Sequence, residues 1–338
     1  MTYGTFMSVT NVQECEPTAS HDVVTLGEPL ICLTAADGRL PSTSHLVKSV
    51  VGAESNVAIG LARLGRSSAL VSRVGQDPFG DEVVRTLRGE GVDTRWIVRD
   101  PDEVTGLMIK ERRAPDDIHA YYYRRGSAAA GLTPADVDEQ AVAGARRVHV
   151  TGITLALGQG PREATARMVQ LAGQSGVPVS FDPNFRLKLW SEQDAATMSV
   201  AFLPSVSDLL VGEDELLAMA QVGGAARGLP AALRWLESYD LCSVVVKRGA
   251  AGVVGVKDGV CLERPAYPVA AVVDTVGAGD AFNVGYLHAT LGGADLGDAL
   301  DSGRWVASRV VSHLGDYEGL PSASEYAAHL AEEEVAPR

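Results

Sequence analysis

Short runs of β-branched and aliphatic residues alternate along this chain with longer stretches in which apolar residues recur every three or four positions. The strand-like runs fall at residues 69–74, 147–151, 178–182, 208–211 and 242–247, after an opening run Val23-Val24-Thr25-Leu26 that ends at Gly27-Glu28. The helical spacing predicts helices over 55–64, 79–90, 162–174, 229–238 and 278–291. Apolar runs of strand length, alternating with amphipathic helices, are the pattern of a parallel sheet buried on both faces. The expected fold class is therefore α/β, with a mostly parallel central sheet between two helical layers.

Two stretches, 31–50 and 103–125, break that alternation. Both read as extended hairpin-type segments, with residues 105–111 and 119–124 as candidate strands. Together they predict a small separate sheet lying over one end of the main domain as a lid. Residues i and i+2 of a strand share a face, so Tyr122 and Arg124 should point together while Tyr123 points away. Residues 1–20 are polar and aperiodic and read as a flexible extension. That leaves 21–330 as one domain carrying the two lid segments.

Composition narrows the function. With 338 residues, 46% hydrophobic and 21% charged, the chain is of ordinary globular type, which excludes a disordered, collagenous or coiled-coil protein. Lys and Arg number 29 against 43 Asp and Glu, a net charge of -14, which argues against a nucleic-acid partner. An anionic ligand must then be held by a few well-placed cations and backbone N–H groups, since the overall field repels it. Cys15, Cys32, Cys242 and Cys261 form no CxxC pair and read as reduced thiols. No Lys or Arg precedes Arg39, and no apolar run approaches the roughly 18 residues of a membrane span. A cytoplasmic protein without a secretory signal or membrane partner is expected.

In open parallel sheets, ligands bind beyond the carboxyl ends of strands, beside helix N-termini. Asp274-Thr275-Val276-Gly277-Ala278-Gly279-Asp280-Ala281-Phe282 has that position, leading from an apolar run at 268–273, read as a strand, into the helix over 278–291. Small residues at Gly277, Ala278 and Gly279 let backbone N–H groups converge into an anion cradle. Asp280, in the first helical turn, suits deprotonation of a hydroxyl that attacks a phosphoryl group. The plainer alternative is a glycine-rich turn with an acid favoured by the helix dipole. The chain holds no GxxxxGK[ST] loop, and Phe282 stands where a dinucleotide fingerprint needs its third glycine. A second segment, Val51-Gly52-Ala53-Glu54-Ser55-Asn56-Val57-Ala58, places an amide at Asn56 in the first turn of an apolar helix. That amide suits a sugar hydroxyl, or else it is a satisfied core asparagine.

These two segments together resemble the paired signatures of the ribokinase-like, PfkB-type carbohydrate kinases, and the resemblance runs from about Asp22 to Pro321. Gly27-Glu28-Pro29-Leu30, Tyr121-Tyr122-Tyr123-Arg124-Arg125-Gly126, Asp182-Pro183-Asn184-Phe185-Arg186, Val246-Lys247-Arg248-Gly249 and Gly315-Asp316-Tyr317 are similar to the branch acting on 2-keto-3-deoxygluconate. The resemblance implies a three-layer α/β/α sandwich with a β-sheet lid, and ATP-dependent phosphorylation of the terminal hydroxyl of a sugar acid. Asp280 would be the base, and residues 277–279 the phosphoryl cradle. Gly52, Asn56, Tyr122, Arg124, Arg186, Asp280 and Asp316 would form the sugar site. Asn184, Arg186, Lys247, Arg248, Gly249, Gly252, Gly277 and Gly279 would serve ATP, and Glu215 a magnesium ion. The resemblance also admits a monovalent cation such as potassium, and a homo-oligomer paired through its lid sheets. A guanidinium can grip a carboxylate through two bonds, which favours Arg124 and Arg186 as readers of a sugar acid over a neutral sugar.

The chain departs from the family pattern at three places. Val51 replaces the first glycine of the Gly-Gly pair, Gly212 occupies the asparagine position of the Asn-x-x-Glu motif that ends at Glu215, and Met108 stands where a tyrosine is common. Two alternatives follow from the sequence: a kinase of fructose, ribose or 5-keto-2-deoxygluconate, and a non-catalytic sugar-binding protein of the same fold.

Overall fold

The computed structural model describes residues 20–36, 39–114 and 117–335. The extension read over 1–20 therefore lies, except for Ser20, outside the described residues. Nine strands form one sheet. In chain order they are β1 (His21–Leu26), β4 (Ser68–Gly75), β5 (Ile97–Asp100), β8 (Ala145–Thr151), β9 (Val179–Asp182), β10 (Asp208–Gly212), β11 (Ser243–Lys247), β12 (Val253–Lys257) and β13 (Val260–Arg264). Across the sheet they run β13-β12-β11-β10-β9-β8-β1-β4-β5, parallel from β11 to β5, with β12 and β13 joining antiparallel at one edge.

Strand alternation builds the two sides of the sheet. In β10, Leu209 and Val211 enter one core while Leu210 enters the other; in β11, Val244 and Val246 oppose Val245 in the same way. One core receives Met168 and Leu171 of α5 (Gln159–Gln174), Ala196 of α6 (Glu192–Phe202), Met219 of α7 (Glu213–Val222) and Leu236 of α8 (Leu229–Leu236). The other receives Ile59 of α1 (Ala53–Arg63), Leu87 of α2 (Pro78–Gly89), Tyr286 of α9 (Ala278–Leu291) and Val306 of α10 (Leu296–Val311). Short helices α3 (Glu139–Ala143) and α4 (Gly152–Ala156) flank β8, and α11 (Ala323–Val335) closes the described chain. Among the described residues, no helix is long and apolar enough to cross a membrane.

A second sheet of four strands stands apart from the first, in the order β3-β2-β6-β7. Its strands are β2 (Leu30–Ala35), β3 (Leu46–Val51), β6 (Leu107–Ala114) and β7 (Asp117–Tyr123), drawn from the two stretches that broke the alternation. In the β6–β7 pair Met108 faces Tyr122 and Lys110 faces Ala120. One face gathers Leu30, Cys32, Val51 and Met108 with Tyr122, whereas Tyr121 and Tyr123 are exposed on the other.

One expected element is absent. Residues 268–273 form no strand: they run as irregular backbone, with Val272 exposed and the Val273 N–H donating to the Val311 carbonyl. The apolar run gives no inward face to a sheet; Val269 and Val272 instead wall a cavity.

Candidate active site

The turn at 274–279 is shaped by contacts that its sequence requires. Gly277 has φ +78°, and a Cβ there would lie 2.2 Å from the Asp316 carbonyl oxygen, so only glycine fits. The Asp274 carboxylate accepts the Val276 N–H at 3.1 Å and closes the turn. The turn delivers the chain into the N-terminus of α9, whose first amide groups have no intrahelical carbonyl to bond and can form an anion cradle, although the Ala278 N–H also reaches the Thr275 carbonyl at 3.3 Å.

Asp280 is buried beneath this cradle. Its carboxylate accepts the Asn56 side-chain N–H at 2.9 Å on one oxygen and that of Asn184 at 3.3 Å on the other. Burial raises its pKa; the Asn56 bond and the Arg186 charge oppose that rise, and Asp182 adds to it. The result is a fixed carboxylate of more than ordinary basicity, which is what a base acting near neutral pH requires. Asn184 holds a left-handed φ of 41°, which asparagine tolerates better than most residues. The Asn56 carbonyl oxygen is buried without a hydrogen-bond partner among the described residues, leaving an acceptor available beside the base.

A cavity lies on either side of the turn. The larger, about 440 Å³, is lined by Thr275, Ala278 and Gly279 of the turn with Lys247, Gly249 and Gly252. Its volume falls in the range of about 300–1,000 Å³ usual for small-molecule sites. Gly252 has φ +94°, and a Cβ there would strike the Arg264 carbonyl at 2.0 Å. The smaller cavity, about 110 Å³, is lined by Gly52, Met108, Tyr122, Arg124, Arg186 and Asp316, with Val276 of the turn as one wall.

Not every expected residue stands where its assigned role requires. Arg186 lines the smaller cavity and Asn184 backs Asp280; neither lines the larger one. Arg248 is turned away from both cavities, its guanidinium taken by Glu213 at 3.0 Å and by Glu263. Arg124 is buried and pairs with Glu28, its Nε donating at 2.6 Å, while Ser127 donates to the other Glu28 oxygen. Arg186 is exposed and forms no hydrogen bond or ion pair among the described residues. Glu215 is partly engaged by backbone: it accepts the Phe185 N–H at 2.6 Å and the Gly212 N–H at 2.9 Å, one with each oxygen. The carboxylate thereby fixes the start of α7 and the backbone before Arg186.

Several site residues were not singled out from the sequence. Asp182 accepts from Lys247 at 2.6 Å and from Asn283 at 2.6 Å, tying the end of β9 to β11 and α9. Its signal was a carboxylate at the carboxyl end of a parallel strand. Glu28 and Lys110 likewise gain their roles only through partners distant in sequence, and Asp274 adds such a partner to its local turn bond.

The pfkB family carbohydrate kinase model matches residues 20–323. The chain is 34% identical over 329 residues to a 2-dehydro-3-deoxygluconokinase from Bacillus subtilis, covering 92% of this chain and 95% of the relative. It is 30% identical over 320 residues to a 5-dehydro-2-deoxygluconokinase from Listeria monocytogenes, covering 93% and 97%. Among solved structures, a protein from E. coli described as a ribokinase II, in complex with ATP and Mg2+, superposes with a TM-score of 0.82 at 25% identity, covering 92% of this chain and 99% of that one. Matched along nearly its whole described length, the chain belongs to the pfkB family and is a carbohydrate kinase.

Proposed function

We propose that this kinase transfers the γ-phosphoryl group of ATP to the terminal hydroxyl of a sugar acid, 2-keto-3-deoxygluconate or a close relative, giving the 6-phosphate and ADP. One observation carries the reading: the anion cradle stands between a roomy cavity and a small charged one, with a hydrogen-bonded carboxylate beneath it. ATP takes the larger cavity, its base against the apolar wall and its phosphates toward the Gly277, Ala278 and Gly279 amides. The sugar acid takes the smaller cavity beneath Tyr122 and Met108. Asp280 accepts the proton of the acceptor hydroxyl as that oxygen bonds to the γ-phosphorus and the bond to the β-phosphate oxygen breaks. The cradle's N–H groups stabilise the charge on the transferring group.

Magnesium supplies charge neutralisation at the phosphates, and it usually keeps several waters and few protein ligands. Among the described residues, no cluster of three or more acidic, histidine or cysteine groups offers a metal cage. Glu215 spends one lone pair of each oxygen on a backbone N–H and keeps the others, so it would serve at most one position of an ion that arrives with the nucleotide. The same reading has the enzyme in the cytoplasm, where ATP is supplied, as an oligomer paired through the lid face that exposes Leu46, Tyr121 and Tyr123.

The acid is favoured over fructose or ribose because Arg186, a guanidinium with no ion pair among the described residues, stands at the small cavity of an acidic chain. Gly52 and Asp316 at the cavity, and Asn56 bonded to Asp280, suit hydroxyls equally well in any of these sugars. An ADP-release screen across 2-keto-3-deoxy and 5-keto-2-deoxy sugar acids and neutral hexoses tests the assignment. Turnover should be highest with a keto-deoxy acid; faster turnover with fructose or ribose would overturn it.

A further inference from the structure

The lid reaches the cradle through a buried lysine. Lys110 lies on β6, on the strand face shared with Met108, and is only 6% exposed. Its ammonium is 3.0 Å from an Asp274 oxygen and 3.7 Å from an Asp316 oxygen, across more than 160 residues of sequence. Those two acids are the ones that shape the cradle. Asp274 closes the turn through Val276, and the Asp316 backbone packs on Gly277, leaving no room for a side chain. Arg112, one strand repeat further along, brings a second lid cation to 3.6 Å from Asp274, its Nη2 buried without a hydrogen bond among the described residues.

We propose that Lys110 is a positioning residue for phosphoryl transfer: by bridging Asp274 and Asp316 from the lid, it holds the cradle in its reactive shape. The inference rests on the sugar-kinase reading above and adds a residue that does not itself react. With the ammonium withdrawn, the buried carboxylates Asp274, Asp316 and Asp280 would face one another with less compensation, and the turn between them would lose its anchor. Lid closure and cradle assembly thus become one event. That coupling keeps the phosphoryl group from water until the acceptor is covered.

The groups facing Asp316 are Lys110 and Cys32 from the lid, and Asp274, Asp280 and Glu318 from the main domain. Burial pushes the Asp316 carboxyl up to about 6, and the Lys110 charge holds it from rising further. This gives the test a readout that general damage would not produce. An opposite charge at this range lowers a carboxyl pKa by about 1–3 units, so losing it should move the acid limb of kcat upward by about one pH unit or more.

The experiment compares the full-length wild type with Lys110→Met and Lys110→Arg, using whichever acceptor gives turnover. Lys110→Met should lower kcat by about 10- to 100-fold, the scale of a small misplacement of reacting groups, with the KM for ATP within about threefold. Its acid limb should shift upward, and Lys110→Arg should restore most of kcat and the wild-type limb. Lys110→Gln gives the same comparison should Lys110→Met not fold. A kcat within twofold of wild type in the neutral variants, or a lowered kcat with an unmoved acid limb, would overturn the proposal. Failure of the sugar-acid reading would show separately, as wild-type turnover confined to neutral sugars; the Lys110 comparison then runs on such a sugar.

Discussion

The larger cavity is walled mostly by backbone and apolar side chains, Val272, Phe282 and Val311 among them, whereas Glu28, Lys110, Arg124, Arg186 and Asp316 crowd the smaller one. A flat base and its phosphates can be held by shape and by amide groups, which ask little of side-chain charge. A small acceptor must be read group by group. Yet most of the charge in the smaller cavity is already spent on the protein itself. Glu28 neutralises Arg124, and Asp274 with Asp316 neutralises Lys110. Arg186 alone among these cations has no carboxylate partner within the described residues. Under the proposed function, selection between acidic and neutral sugars would fall to Arg186, and the chemistry common to both to Asp280 and the turn.

The largest effect expected is at the carboxylate in the first turn of α9, which lines neither cavity but follows the turn that stands between them. Asp280→Asn should cut turnover by about 10²–10⁴-fold, the range for a positioned general base, while the KM for ATP stays nearly constant. Steady-state kinetics on the purified variant check this, and a third of wild-type turnover would remove Asp280 from its role. Gly277→Ala comes next. The added methyl meets the Asp316 carbonyl at 2.2 Å in a left-handed backbone, so the turn must move. A tenfold or greater loss of kcat is expected, with a stability loss of about 1–3 kcal/mol in urea melts. Normal kinetics in this variant would show that the cradle's shape does not matter to either cavity.

The smallest effect lies outside both cavities. Burial holds the His149 and His288 imidazoles down at about 4, against an ordinary value of 6.5. Below pH 6.5 the unfolded chain takes up these protons and the native protein does not, so stability falls as pH drops from 6.5 toward 4. Each histidine contributes a slope of up to about 1.4 kcal/mol per pH unit in that window. His288→Phe, which keeps a ring against Tyr326, should flatten the fall by about half in melts between pH 6.5 and 4.5. An unchanged slope would place the acid sensitivity in carboxylates instead.

Much of the frame was legible because local pattern determines it. Continuous β-branched runs such as Val244-Val245-Val246 favour strands buried on two faces, and 31–50 and 103–125 stood out by failing that alternation. Period-two geometry also put Tyr122 and Arg124 on one side, and both line the smaller cavity. What stayed hidden depends on partners far away in sequence. Glu28 lies 96 residues from Arg124, so nothing near either one revealed that the guanidinium was already engaged. Arg248 looked available until Glu213 and Glu263 were brought beside it. The run at 268–273 misled for a different reason: apolar residues that wall a ligand cavity carry the same composition as a strand that fills a core. Arg124 also ceases to be a clean probe of substrate charge, because Arg124→Ala would leave Glu28 buried and uncompensated.

The most direct test of the account is the ratio of kcat/KM for a keto-deoxy sugar acid to that for a neutral sugar of similar shape, measured in wild type and in Arg186→Ala. In wild type the ratio should favour the acid. Loss of the guanidinium should lower that ratio by about 10- to 100-fold, the lower part of the range for desolvated charge pairs because Arg186 keeps access to water. An unchanged ratio, whatever happens to the absolute rates, would contradict the claim that Arg186 reads a substrate carboxylate.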